Sequence, residues 1–133
     1  MTIAIVVSYG DFFDRLSILQ IKKERITDPE KRAIVLRELE RYGAARDAAG
    51  IDAADIAARL KDLREVNERL WDIENRIRDH ERREDFGTAF VALARSVYQV
   101  NDRRARIKKS IDEALGSPVH DVKDFTAPDD ERV

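Results

Sequence analysis

Two stretches of this chain place chemically capable side chains at helical spacing. The first holds Asn67, Trp71, Glu74 and Arg78; the second holds Arg95, Tyr98, Asn101, Asp102 and Arg104. Residues three and four apart share a face of an α-helix, so each set forms a row beside an apolar stripe. Guanidinium groups bind carboxylate or phosphate through paired hydrogen bonds, amides hold hydroxyls, and an indole or phenol ring offers a stacking face. Such a strip suits an anionic or hydroxyl-rich small molecule. Arg104 stands out, because it falls on the stripe Val97, Val100, Arg104, Ile107 and its stem is expected to be buried. A guanidinium there needs a carboxylate or several carbonyls, since leaving it unpaired costs on the order of several kcal/mol.

Three readings of the strip stay open. It is a structural polar layer that fixes helix register, a role buried polar groups sometimes play; a binding site; or, third, an arginine-based electrostatic site for a dianionic transition state. No catalytic residue is assigned. The chain has no Gly-rich phosphate loop, nucleophile elbow or His-x-x-x-His pair. Asp14 and Arg25 share a row of the first helix with Ile18 and Ile21. They are either flanking surface charges or groups that close the strip from a third side. Arg103, Arg104, Arg106, Lys108 and Lys109 form a basic cluster that reads as a solvated face; phosphate or nucleic-acid contact is the sharper alternative, against which the acidic third helix and the overall charge argue. His80, beside Ile73 and Ile77, reads as a helix-face histidine rather than a ligand.

The elements that position these residues are mainly helical. Ile3 to Val7 is β-branched and continuous, a short strand by pattern. Ser8 and Asp11 have capping-box spacing, opening a helix from about Gly10 to Ile26. Thr27 or Asp28, followed by Pro29, starts a second helix that runs to about Ala48, with Gly50 as its stop. A third helix begins at Asp52 or Asp55 and reaches about Arg83. Its core positions Ile56, Leu60, Leu63, Val66, Leu70, Ile73 and Ile77 alternate by three and four. Acid–base pairs four apart, such as Asp72 with Arg76, would each support it by roughly 0.2–0.5 kcal/mol.

The run Arg83 to Gly87 is the break, with Asp85 as cap for a fourth helix from about Phe86 to Leu115. Phe86, Phe90, Leu93, Val97, Val100, Ile107 and Ile111 mark its stripe, and Gly116 ends it. The expected fold is a mainly α, four-helix arrangement built on a long antiparallel hairpin of the last two helices. That hairpin sets Trp71 near Tyr98, Glu74 near Arg95, and Asn67 near Asn101 and Asp102. Val119 to Phe125 is short enough to pair with the opening strand, and residues 127–133 read as a polar, flexible tail after one domain over 1–126.

Composition bounds the function. With 133 residues, 39% charged and 43% hydrophobic, the chain suits one folded domain. A net charge of -2 argues against bulk attraction to nucleic acid or anionic lipid. The absence of cysteine excludes disulfides and thiolate metal sites, and His80 and His120 are far apart, so neither metal nor cofactor is implied. The five-residue opening run is too short for a signal peptide or membrane span, which leaves a soluble cytoplasmic protein as the expectation. Near-heptad stripes suit pairing with a second copy, so a homodimer is expected among the partners.

The segments FFDRLSILQIKKERITDPEK, NERLWDIENRIRDHERREDFGTAF and LARSVYQVNDRRARIKKSI resemble an uncharacterised bacterial family of small helical proteins, a domain of unknown function. That family's first segment reads G-E-x-x-D-K-L-x-I-L-x-I-K-x-E-R-I. Here Asp14, Lys22, Glu24 and Arg25 match, while Asp11 stands for the Glu and Arg15 for the Lys. Trp71 to Glu74, Ile77 and Arg78 match its L-W-D-I-E-x-x-I-R. Arg95, Tyr98, Asn101, Asp102, Arg104, Ala105 and Lys108 match its A-R-S-V-Y-x-x-N-D-x-R-A-x-x-K. The resemblance covers most of the chain outside Ala44 to Asp55 and the tail. It adds Asp14, Lys22, Arg25 and Lys108 as secondary site candidates. It also implies a setting in sugar transfer and cell-surface glycan assembly, hence a sugar phosphate, a nucleotide sugar or a partner protein from that assembly. The leading expectation is a cytoplasmic binding or accessory protein. The alternative is a structural or oligomerising helical module without a ligand.

Overall fold

A computed structural model describes residues 1–119, which form α1 (Tyr9–Arg25), α2 (Pro29–Ala49), a 3-10 turn (Ala53–Ile56) leading into α3 (Ala57–Arg82), and α4 (Thr88–Leu115). The described residues are mainly helical and contain no strand. Among the described residues Ile3 to Val7 has no regular structure, and Ile3, Ile5, Val6 and Val7 are exposed. A strand exists only through hydrogen bonds to a neighbour, and the described residues offer this run none. The proposed partner segment from residue 120 onward, His120 and the tail 127–133 lie outside the described residues.

Local chemistry sets each helix end. Ser8 Oγ accepts from the Asp11 amide at 3.1 Å and opens α1. Asp11 does not close a capping box; its carboxylate instead meets Lys108 Nζ at 2.7 Å and ties α1 to α4. Asp28 accepts from the Lys31 amide at 2.9 Å, with Pro29 in the first turn of α2. Gly50 (φ 66°) and Gly116 (φ 64°) end α2 and α4 in the left-handed region, which a side chain disfavours. The start of α4 also differs from expectation. Gly87, not Asp85, is its cap residue. Asp85 is held in the link by its own amide, which donates to His80 O at 2.9 Å. Phe86 accordingly sits outside α4 and is exposed, packed edge-on against Phe90. His80 is buried, with Nδ1 3.0 Å from Asp85 O, so it organises this link.

Two clusters form the core. Phe13, Leu16, Ile56, Leu63 and Ile111 join α1, the 3-10 turn, α3 and α4, and Leu39 and Tyr42 of α2 pack onto them. Val66, Leu70, Ile73, Leu93 and Val100 join α3 and α4 alone. Fully burying each such side chain is worth about 1.5–3 kcal/mol. Among the described helices α2 lies chiefly against α1, where Phe12 and Tyr42 stack with centroids 5.1 Å apart.

The first turn of α1 is locked to the end of α4. The Gly10 amide donates to Asp112 Oδ1 at 2.6 Å, and Tyr9 N donates to Ser117 Oγ at 3.4 Å. The helices approach so closely that a Cβ on Gly10 would overlap the backbone carbonyl of Lys108. Asp112 is 3% exposed, a buried carboxylate at the positive end of a helix dipole. Among the described residues, no helix is long and apolar enough to cross a membrane.

Candidate functional site

α3 carries its polar row on one face because the spacing suits a helix of 3.6 residues per turn. Asn67, Trp71, Glu74 and Arg78 stay within about 60° of one another around the axis. That face borders a groove of ≈ 560 Å³ whose other walls are Ile18 and Ile21 of α1 and Asn101 and Arg104 of α4. Leu70 and the two isoleucines give the groove apolar wall, and Asn75 adds a further amide.

The groove thus gathers Asn67, Trp71, Glu74, Arg78, Asn101 and Arg104 from the sequence-predicted set. Arg95 and Tyr98 do not line it and are exposed; Asp102 is half-buried and also outside its lining. The cause is geometric. Steps of three residues drift by about 60° per step, so Tyr98 and then Arg95 turn progressively away from the face that carries Asn101 and Arg104. Asn75 lies one helical turn after Trp71, so extending the row by four from Trp71 would have found it.

Arg104 resolves differently from the expected buried ion pair. It is half-buried and lines the groove, and neither it nor Arg78 forms an ion pair among the described residues. It follows Val100 and precedes Ile107 on the stripe, and a long cationic side chain there can bury its stem while its head stays open.

The α1 wall is anchored by polar contacts. Asn67 Nδ2 donates to Asp14 Oδ1 at 2.9 Å and to Ser17 Oγ at 3.4 Å, and all three residues are buried. Asp14 also borders a second hollow of ≈ 340 Å³ with Arg15 and Tyr42.

Arg25 is not a loose surface charge. Its Nη1 donates to Asp72 at 2.8 Å, its Nη2 to Glu68 at 3.4 Å, and its guanidinium lies 5.8 Å from the Trp71 ring centroid. Arg64 extends this ladder, bonding Glu68 at 2.9 Å and also Glu24. Burial pulls the Arg64 guanidinium down, but its hydrogen bonds to Glu24 and Glu68 and their charges outweigh this and hold it above the usual arginine value. Its charge is therefore fixed at any physiological pH. Arg64, Glu68 and Ser17 are not marked by the sequence pattern, and Glu24 enters there only as a motif match; all four take their place from the α1–α3 crossing.

Of the other secondary candidates, Lys108 turns to Asp11 and leaves the basic cluster, and Lys22 is half-buried on α1 outside the groove lining.

No family model, curated protein or solved structure matches the chain. The functional reading therefore stands on the groove's own chemistry: two open guanidiniums, three amides, one carboxylate and one indole on a partly apolar wall.

Proposed function

We propose that the groove is a ligand site and that the protein is a cytoplasmic binding or accessory protein for an anionic, hydroxyl-bearing small molecule, of the class of sugar phosphates and nucleotide sugars. The observation that supports this most is that Arg78 and Arg104 open on one groove without an ion pair among the described residues, while Arg25 and Arg64 nearby are paired. Unpaired guanidiniums beside amides and an indole match an anion with a polar body and a ring. The volume lies within the range of small-molecule pockets. This reading takes α3 and α4 as antiparallel arms, so that Asn67 and Asn101 face one another across the groove.

The test is thermal unfolding of the full chain with glucose 1-phosphate, UDP-glucose and citrate. A ligand at a hundred times its Kd adds about 2.7 kcal/mol and raises Tm. At least one should do so, and Arg104→Ala should remove the shift. If none of the three shifts Tm, the binding reading is wrong.

A second reading, an oligomerising helical module, is favoured by Phe86, Val91 and Tyr98, exposed apolar side chains at 51%, 49% and 56% on or beside α4. It requires a homodimer by light scattering that Tyr98→Glu with Val91→Glu disperses; a monomeric parent protein removes it.

A further inference from the structure

We infer that the ligand of this groove carries a hydroxyl or N–H donor as well as its anion, and that Asn67 Oδ1 is the acceptor that recognises it. The inference rests on the binding reading above and adds what that reading leaves open, the polarity of one wall.

An amide side chain has two unlike ends, and its neighbours decide which way round it sits. Asn67 Nδ2 faces Asp14 Oδ1 at 2.9 Å and Ser17 Oγ at 3.4 Å. Turning the amide over would press Asn67 Oδ1 against the Asp14 carboxylate oxygen and forfeit the donor. All three residues are at least nine-tenths buried (Asn67 5%, Asp14 8% and Ser17 6% exposed), so the setting is held by packing as well as by hydrogen bonds. Both amide hydrogens are thereby spent on α1.

The other end is free. Asn67 Oδ1 accepts no hydrogen bond among the described residues. Yet among those residues no enclosed side-chain polar atom lacks a partner. Asn67 Oδ1 is therefore not fully enclosed, and the groove is an open space that Asn67 lines. A nearly buried residue thus presents one unpartnered acceptor there, with Arg78 and Arg104 on the same lining. Guanidiniums only donate and this oxygen only accepts, so a ligand that meets both must hold an anion and a donor together. A bare anion satisfies the arginines and leaves the amide oxygen unmet.

Two sulfate monoesters separate the cases: glucose 6-sulfate, an anion with hydroxyls, and ethyl sulfate, the same anion without them. Binding to the full chain is measured by calorimetric titration. The wild type should prefer glucose 6-sulfate, and Asn67→Ala should weaken that ester about fivefold to tenfold, the worth of one neutral hydrogen bond, while leaving ethyl sulfate unchanged. Arg104→Ala should weaken both. Since Asn67→Ala strands a buried carboxylate, Asp14→Ala/Asn67→Ala, which removes donor and acceptor together, is measured beside it. If the wild type binds both esters equally, or if the preference survives in whichever of these variants is folded, the acceptor role is wrong while the binding reading stands. If neither ester binds and the thermal screen is also silent, both fall.

Discussion

α1 meets polar groups at two places, and it treats them differently. At its first turn the Gly10 amide finds Asp112 at 2.6 Å, Asp11 finds Lys108 at 2.7 Å, and Tyr9 N finds Ser117. Farther along the same helix, Ile18 and Ile21 wall a groove where Arg78 and Arg104 have no ion pair among the described residues and Asn67 keeps an open oxygen. Burial does not distinguish the two regions, since Asp112 is 3% exposed and Asn67 5%. Completion does. The junction closes donors on acceptors within the chain, and a buried polar group that is fully met stabilises the fold. The groove keeps the Arg78 and Arg104 guanidiniums and the oxygen end of Asn67, which the fold does not use among the described residues. Substitutions at the junction should therefore cost stability, and those in the groove should cost binding.

The largest effect is expected at Gly10. A Cβ there would overlap the carbonyl carbon and oxygen of Lys108, both backbone atoms that cannot swing aside. Gly10→Ala gains some helix propensity but forces α1 and α4 apart, for a net loss of about 2–3 kcal/mol. Urea unfolding measures it, and a loss below about 1 kcal/mol would mean that the junction is not tight. Asp112→Ala comes next. It removes the acceptor of the Gly10 amide and the charge at the α1 terminus, costing about 1–2 kcal/mol. Asp112→Asn, which keeps an acceptor, should recover part of the loss. Neither variant should alter ligand affinity in the folded protein; a change there would erase the distinction between the regions.

The same two regions show what a sequence can disclose. The ends set by Ser8, Asp28 and Gly50 were legible because that chemistry acts within four residues, whereas the start of α4 fell at Gly87 rather than Asp85. The α3 side of the groove was legible because steps of three and four nearly cancel around 3.6, keeping Asn67, Trp71, Glu74 and Arg78 on one face. The α4 side was half legible, because successive steps of three accumulate rotation and carry Arg95 and Tyr98 out to solvent. The junction was not legible at all. Gly10 and Asp112 stand 102 residues apart, and nothing local in either marks the pairing. The same limit explains Ile3 to Val7: its composition suits a strand, but a strand needs a partner that composition does not supply. Arg104 stands on an apolar stripe, where the pattern asks for a carboxylate or several carbonyls; the residue is instead half-buried on the groove, and a long side chain can bury its stem while its charge stays wet.

The smallest stability change should come from Arg104→Ala, and that smallness is what sets the regions apart. Its guanidinium forms no ion pair among the described residues, so truncation breaks none there and strands no carboxylate. What is lost is the packing of a half-buried side chain. What is gained is relief from a second cation, Arg78, on the same groove. These oppose one another, and the urea midpoint should move by no more than about 0.5 kcal/mol equivalent. The balance should depend on the anion present. An anion held by the two guanidiniums stabilises the folded wild type by mass action, whereas the variant has lost half of that clamp. Sulfate in place of chloride at matched ionic strength should therefore open a gap between wild type and Arg104→Ala that chloride does not show. A loss as large as that of Asp112→Ala in both salts would mean that Arg104 holds the fold together, and the groove would then belong with the junction.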